Sequence, residues 1–224
     1  MAVLKQSIKQ HPKFSYKTPR KPATARPEVG AVEKPVTAHE FWLMQSQFKN
    51  ERTRLIDGKV IRMAPASFEH GIQSMELGSV LRNHVKKHKL GIACGAETGF
   101  RLDAKNVLAP DVAFVAKERL LENQDLIGRN IRYDKFLPFA PNLAVEVVSP
   151  SERAGEIKSK VKTWLNFGVD AVWVVYPKSR EVHVHARAMS TQVFTEADTL
   201  DGGDVLPGFT CKVKEIFADD VFGS

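Results

Sequence analysis

Hydrophobic and polar positions change period several times along this chain, and each change marks an element. From Asn142 to Pro150 the sequence reads Asn-Leu-Ala-Val-Glu-Val-Val-Ser-Pro, with Leu143, Ala144, Val145, Val147 and Val148 apolar and without alternation. A short β-branched run bounded by turn residues predicts a strand buried on both faces. Ala171 to Tyr176 is a second run of this kind. Between the two, Ile157, Val161, Trp164 and Leu165 recur at helical spacing within a segment from about Glu152 to Phe167, and Gly168 closes it. Strand, helix and strand in this order suggest a right-handed crossover.

Upstream, Thr37-Ala38-His39-Glu40 fits the capping-box pattern, so a first short helix carrying Phe41, Trp42 and Met44 begins near residue 37. The segments 53–56 and 59–63 flank Asp57-Gly58, a pair that favours a type I′ turn, and predict a hairpin. Ser67 caps a longer helix to about Lys89, where Leu90-Gly91 stops it. Helical spacing sets His70, Leu77, Leu81, His84 and His88 on one stripe and Phe68, Ile72 and Met75 on the opposite side, so this helix is expected to pack on two sides. Residues 92–94, 98–102 and a strand led by Asp111, joined by short turns, read as an antiparallel meander. The charged stretch 117–140 is longer than an ordinary connection, which predicts a short helix within it or a ligand contact. Val182, Val184 and Ala186 alternate with Glu181, His183 and His185, as in a half-exposed edge strand with both histidines outward. The remainder, through Asp201-Gly202-Gly203-Asp204 and a turn near Val213 to Phe217, reads as β-structure finishing a sheet.

Composition narrows the class. With 224 residues, 43% of them hydrophobic, the chain has room for one well-cored domain over 37–224 and a tail over 1–36. Of the net charge of +7, the first 35 residues carry +6, because eight lysines and arginines there face two glutamates. Prolines 12, 19, 22, 27 and 35 and few large apolar residues predict a disordered or extended tail. Its Lys5, Lys9, Lys13, Lys17, Arg20 and Lys21 suit a salt-sensitive arm on nucleic-acid phosphates, or a solubilising leader with no ligand. No apolar run approaches a membrane span and no secretory signal is visible, so neither membrane nor export is expected. Cys94 and Cys211 have no disulfide or zinc spacing, which points to a reducing cytoplasm. No glycine-rich phosphate loop supports a nucleotide cofactor.

Two acids carry the candidate chemistry. Glu146 sits inside its apolar strand, where an ionised carboxylate costs roughly several kcal/mol unless a cation or donors compensate it. Asp111, in Ala109-Pro110-Asp111-Val112, projects from a strand end. Two such carboxylates repel unless a metal lies between them, and a hard divalent ion such as Mg²⁺ takes oxygen ligands of this type. In the following helix Lys158 and Lys160 flank the buried face on opposite sides and Lys162 points further out; spacing does not choose between the first two. His84 and His88 form an i, i+4 pair with no carboxylate nearby in sequence, and read as an amphipathic helix end. His183 and His185 read as the polar face of their strand.

The order helix, antiparallel strands with Asp, strand with Glu, helix, strand resembles the core of the PD-(D/E)XK nuclease superfamily. More narrowly, Leu-Ile-Asp-Gly at 55–58, Pro-Asp-Val-Ala-Phe-Val at 110–115, Val-Glu-Val-Val-Ser-Pro at 145–150 and Lys160 through Trp164 to the Gly-Val and Trp-Val-Val near 168–175 resemble the Uma-type restriction endonuclease family. The likeness spans residues 37 to 217. It implies an α/β (α+β) restriction endonuclease-like fold, a mixed β-sheet flanked by helices in αβββαβ order with an added N-terminal helix and hairpin. It also implies Asp111 and Glu146 as metal ligands. The superfamily's lysine normally lies two residues after the glutamate, where Val148 stands; in this family it lies in the next helix four residues before an aromatic, which matches Lys160 and Trp164. His70 matches a histidine of the family's long helix and would border the site. Arg54 stands where the family usually has a glutamate, a departure that puts catalysis in question.

Taken together these readings predict a metal-dependent DNA endonuclease. Asp111, Glu146 and the Val147 carbonyl would hold Mg²⁺ or Mn²⁺, and Lys160 would orient or deprotonate the attacking water if burial and the ion lower its pKa. The alternatives are a nucleic-acid-binding protein that keeps the fold without turnover, and a structural pairing of Glu146 with Lys160. Homodimerisation is expected by analogy alone.

Overall fold

A computed structural model describes residues 34–48, 51–128, 135–187 and 189–217. The basic residues from Lys5 to Lys21 named above lie outside the described residues. Helix α1 (Ala38–Leu43) starts at Thr37, whose hydroxyl accepts the Glu40 N–H at 3.2 Å while Glu40 Oε2 accepts the Thr37 N–H at 2.7 Å. Strands β1 (Arg52–Ile56) and β2 (Lys59–Met63) follow, joined by Asp57 and Gly58 at φ +48° and +74°. A Cβ on Gly58 would lie 2.7 Å from that of Pro35, so this turn needs glycine for space as well as for φ.

Helix α2 (Phe68–His88) runs from the Ser67 cap to a left-handed Lys89. Next come β3 (Gly91–Gly95), β4 (Phe100–Arg101), β5 (Val107–Leu108), β6 (Val112–Ala116), α3 (Lys117–Glu122) and α4 (Gln124–Ile127). Then follow β7 (Leu143–Val147), α5 (Ala154–Asn166), β8 (Ala171–Tyr176), β9 (Glu181–Ala186), β10 (Gln192–Phe194), β11 (Thr199–Asp201), β12 (Thr210–Lys212) and α6 (Val213–Ile216). Among the described residues no helix is long and apolar enough to cross a membrane.

The central sheet has the order β10-β9-β8-β7-β6-β3, with β7 and β8 parallel and every other pair antiparallel. The parallel pair requires a crossover, and α5 supplies it. Leu77, Leu81 and Val85 of α2 pack on one face against Val112, Val145, Val147 and Trp173. On the other face Ile157, Val161 and Trp164 of α5 pack against Ala113, Ala144, Val172 and Val174. Both faces of β7 are therefore covered, as its unbroken apolar run requires. Strand alternation turns Leu143, Val145 and Val147 toward α2, and sends Ala144 and Glu146 toward α5.

Four expectations need correction. The meander over 92–116 does not form: β3 pairs directly with β6, while β4 and β5 join the β1–β2 hairpin in a separate sheet of order β2-β1-β5-β4. The third antiparallel strand of the core is β7, so the αβββαβ order survives with different members. Among the described residues helix α2 buries one side, and on the other Phe68 and Met75 are 87% and 71% exposed while Ile72 is half-buried. Strand β9 is not an edge, because β10 pairs outside it, and His183 is half-buried with its ring 4.4 Å from that of Tyr176. Strands β11 and β12 form their own two-stranded ribbon instead of extending the sheet.

Candidate active site

The β6–β7 ladder ends where Val112 lies opposite Val145, so the next residues out of it are Asp111 on one strand and Glu146 on the other. Register alone thus brings together two acids that are far apart in sequence. The Asp111 N–H donates to the Val145 carbonyl at 2.9 Å, and its carboxylate Oδ2 accepts the Val147 N–H at 2.8 Å. His70, one turn into α2, places Nε2 3.2 Å from the same Oδ2. Arg52 Nη2 lies 3.6 Å from Oδ1, and its Nε is 2.7 Å from Glu97 Oε1. Glu97 holds φ +70°, a left-handed conformation uncommon outside glycine.

Glu146 points the other way, into α5. The Trp164 indole N–H donates to Oε1 at 2.8 Å and Lys160 Nζ donates to Oε2 at 2.9 Å. Lys160 also meets Glu152 Oε1 at 2.5 Å, while Glu152 Oε2 accepts the Ser149 N–H at 2.9 Å. The Ser149-Pro150 turn after β7 therefore returns a second carboxylate to the lysine. Of the two lysines left open by spacing, Lys160 reaches Glu146; Lys158 is exposed.

Burial dominates the electrostatics. Burial pushes the Glu146 carboxyl above its ordinary value against the pull of Lys160, and the Asp111 charge adds to the rise. Asp111 goes the other way: burial alone would raise it, but the His70 hydrogen bond and charge and the Val147 N–H hold it below its ordinary value. Burial alone would likewise lower Lys160, yet the Glu146 and Glu152 carboxylates outweigh it and the net direction is upward. Burial without an ion therefore does not lower this lysine.

Two clefts open beside the acids. One, of about 580 Å³, lies between α2 and β3 and includes Asp111, His70, Arg52 and Arg82 in its walls. The other, of about 250 Å³, is walled by Arg54, Glu146, Glu152, Lys160, Thr163 and Trp164. Arg54 Nε is shielded from solvent without a hydrogen-bond partner, and the side chain forms no ion pair with any described residue. A buried unsatisfied donor costs about 1–3 kcal/mol, so its retention calls for a reason.

Among the described residues no three His, Cys, Asp or Glu side chains are grouped as a metal cage. The donors available are two carboxylates and backbone carbonyls, the hard oxygen set that suits Mg²⁺ or Mn²⁺. Lys160 is shared between Glu146 and Glu152, so one ammonium serves two carboxylates, and a divalent cation would add positive charge beside them.

Residues missed in the sequence are Arg52, Glu97 and Glu152, along with the indole N–H of Trp164 as a donor. Glu152 had a local signal, since Ser149 and Glu152 stand at capping-box spacing after the strand. Arg52 had a weaker one, two positions before Arg54 on the same strand face.

The fold of this chain has a counterpart among solved structures. Over 82% of its length, and 98% of the other chain, the protein superposes with a TM-score of 0.67 and 20% identity on the crystal structure of a "putative nuclease belonging to DUF820" from Anabaena variabilis. The chain belongs to the Uma2 family, described as "Putative restriction endonuclease", whose model matches residues 38–214. No match was found among curated proteins.

Proposed function

We propose that this chain is a divalent-metal-dependent nuclease that hydrolyses phosphodiester bonds in DNA. The supporting observation is the convergence of Asp111 and Glu146 at one end of the β6–β7 ladder, with the Lys160 ammonium on Glu146. Asp111, Glu146 and the Val147 carbonyl would hold Mg²⁺ or Mn²⁺. Such an ion, when bound, lowers the pKa of a coordinated water and withdraws charge from the attacked phosphate.

The chain's own groups supply position and charge. Lys160, clasped by two carboxylates, keeps its proton at neutral pH and serves the phosphate oxygens as a fixed positive charge instead of acting as a base. Glu152 is a positioning residue: the Ser149 N–H fixes one oxygen and the other fixes the ammonium. Trp164 holds Oε1 of Glu146 and seals it from water, so the carboxylate is preorganised. His70 and the Val147 N–H do the same for Asp111.

The test is nicking of supercoiled plasmid by the purified full chain with Mg²⁺, Mn²⁺ or EDTA. The parent should cut only with an ion, and Glu146→Gln should lose on the order of a hundredfold or more. A folded parent that binds DNA but cuts with neither ion overturns the proposal. That outcome would select the second reading, a nucleic-acid-binding protein on a nuclease fold, which Arg54 in the cleft wall favours.

A further inference from the structure

Arg52, Arg54 and Ile56 share one face of β1, opposite Leu55, which is buried in the small core of the hairpin sheet. Both arginines have a buried Nε without a hydrogen bond, but Arg52 is ion-paired with Glu97 and Asp111, whereas Arg54 pairs with nothing among the described residues.

Its isolation is not for want of acids. Glu146, Glu152 and Glu156 line the same cleft, but Trp164 and Lys160 take both oxygens of Glu146, and the Ser149 N–H and Lys160 take both of Glu152. Glu156 accepts the Arg153 N–H through Oε2. The cleft therefore holds two fully engaged carboxylates, Glu146 and Glu152, beside an arginine whose Nε is buried and without a partner.

From this, and resting on the nuclease reading, we infer that Arg54 receives a backbone phosphate of the nucleic acid, next to the carboxylate pair. A guanidinium stays charged and its planar fork matches phosphate oxygens. Lys160 faces the same space, so a phosphate there has a cation on either side. At about 250 Å³ the cleft has room for the phosphate and sugar of one strand, with the bases and the other strand of a duplex left outside it. The contact therefore positions the backbone and reads no base.

The experiment measures binding of the full chain to two labelled duplex oligonucleotides of unrelated sequence, in EDTA, across a range of salt concentrations. Losing one phosphate contact reduces the slope of log affinity against log salt by about 0.9. Arg54→Gln should show that shallower slope and several-fold weaker binding, equally for both sequences, and Arg54→Lys should restore the slope. Arg54→Met, which keeps the stem, must show the same loss if the glutamine variant does not fold. Slopes for the uncharged variants equal to the parent's would overturn the inference, whatever happens to affinity. EDTA suppresses turnover, so a parent that never cuts DNA leaves this result standing and fails only the nuclease reading.

Discussion

Lys160→Met removes one ammonium and keeps most of the stem. In the parent, the Lys160 and Glu146 side chains are 18% and 10% exposed, and their contact is 2.9 Å. Deleting one partner of a buried pair costs about 3–5 kcal/mol. Glu146 retains the Trp164 N–H and Glu152 can recruit water, which places this case near about 3 kcal/mol, or a fall of about 6–12 °C in Tm for a unit of this size. The cost also depends on pH. Because the folded pKa of Glu146 lies above its unfolded value, the stability it contributes is complete at acid pH and is lost as pH rises through the folded pKa. Without Lys160 that folded pKa moves further up, so the variant keeps losing stability over a range in which the parent has stopped. Urea denaturation in EDTA at about pH 5 and pH 8 should show a much larger deficit at the higher pH. A deficit under about 1 kcal/mol at pH 8, or one equal at both values, would refute the claim that Glu146 is ionised and held by Lys160.

Trp164→Phe keeps an aromatic ring in the α5 core but deletes the donor to Glu146 Oε1, and urea denaturation should register a loss of about 1.5–3 kcal/mol. Burial and the Glu215 charge push the Cys211 thiol up to about 11, and burial also raises Cys94. At pH 8 the Cys211 thiolate fraction is then about one in a thousand, so in a Cys94→Ser variant Ellman's reagent should release almost no colour from the folded protein and one equivalent in urea. Fast release without denaturant would show that the core around Cys211 opens.

Local signals were legible in the sequence because their causes are local. The Thr37 capping box, the Asp57-Gly58 turn, the Ser67 cap and the apolar run around Glu146 each fixed an element within a residue or two of its observed limits. Strands β4 and β5, each two residues long, carry too little periodicity to reveal which sheet they join; pairing across Leu55 and Val107 decides it. The exposure of Phe68 and Met75 was illegible for a similar reason, since spacing gives the faces of a helix but not which of them has a neighbour. At the site, the β6–β7 register brings Asp111 and Glu146 to one end of the ladder and His70 contacts Asp111, while the choice of Lys160 over Lys158 needed more than spacing. The clasp of Glu152 on Lys160, which adds to the upward pull of Glu146 on the lysine's pKa, depends on a turn geometry that composition does not show.

The central claim is that Asp111 and Glu146 share one divalent ion. Anomalous scattering from a crystal soaked in Mn²⁺ addresses it most directly. The account predicts one strong peak within bonding distance of a carboxylate oxygen from each residue, absent from a Glu146→Gln crystal treated alike. Two well-ordered acids with no peak between them, or a peak that persists without Glu146, would contradict it.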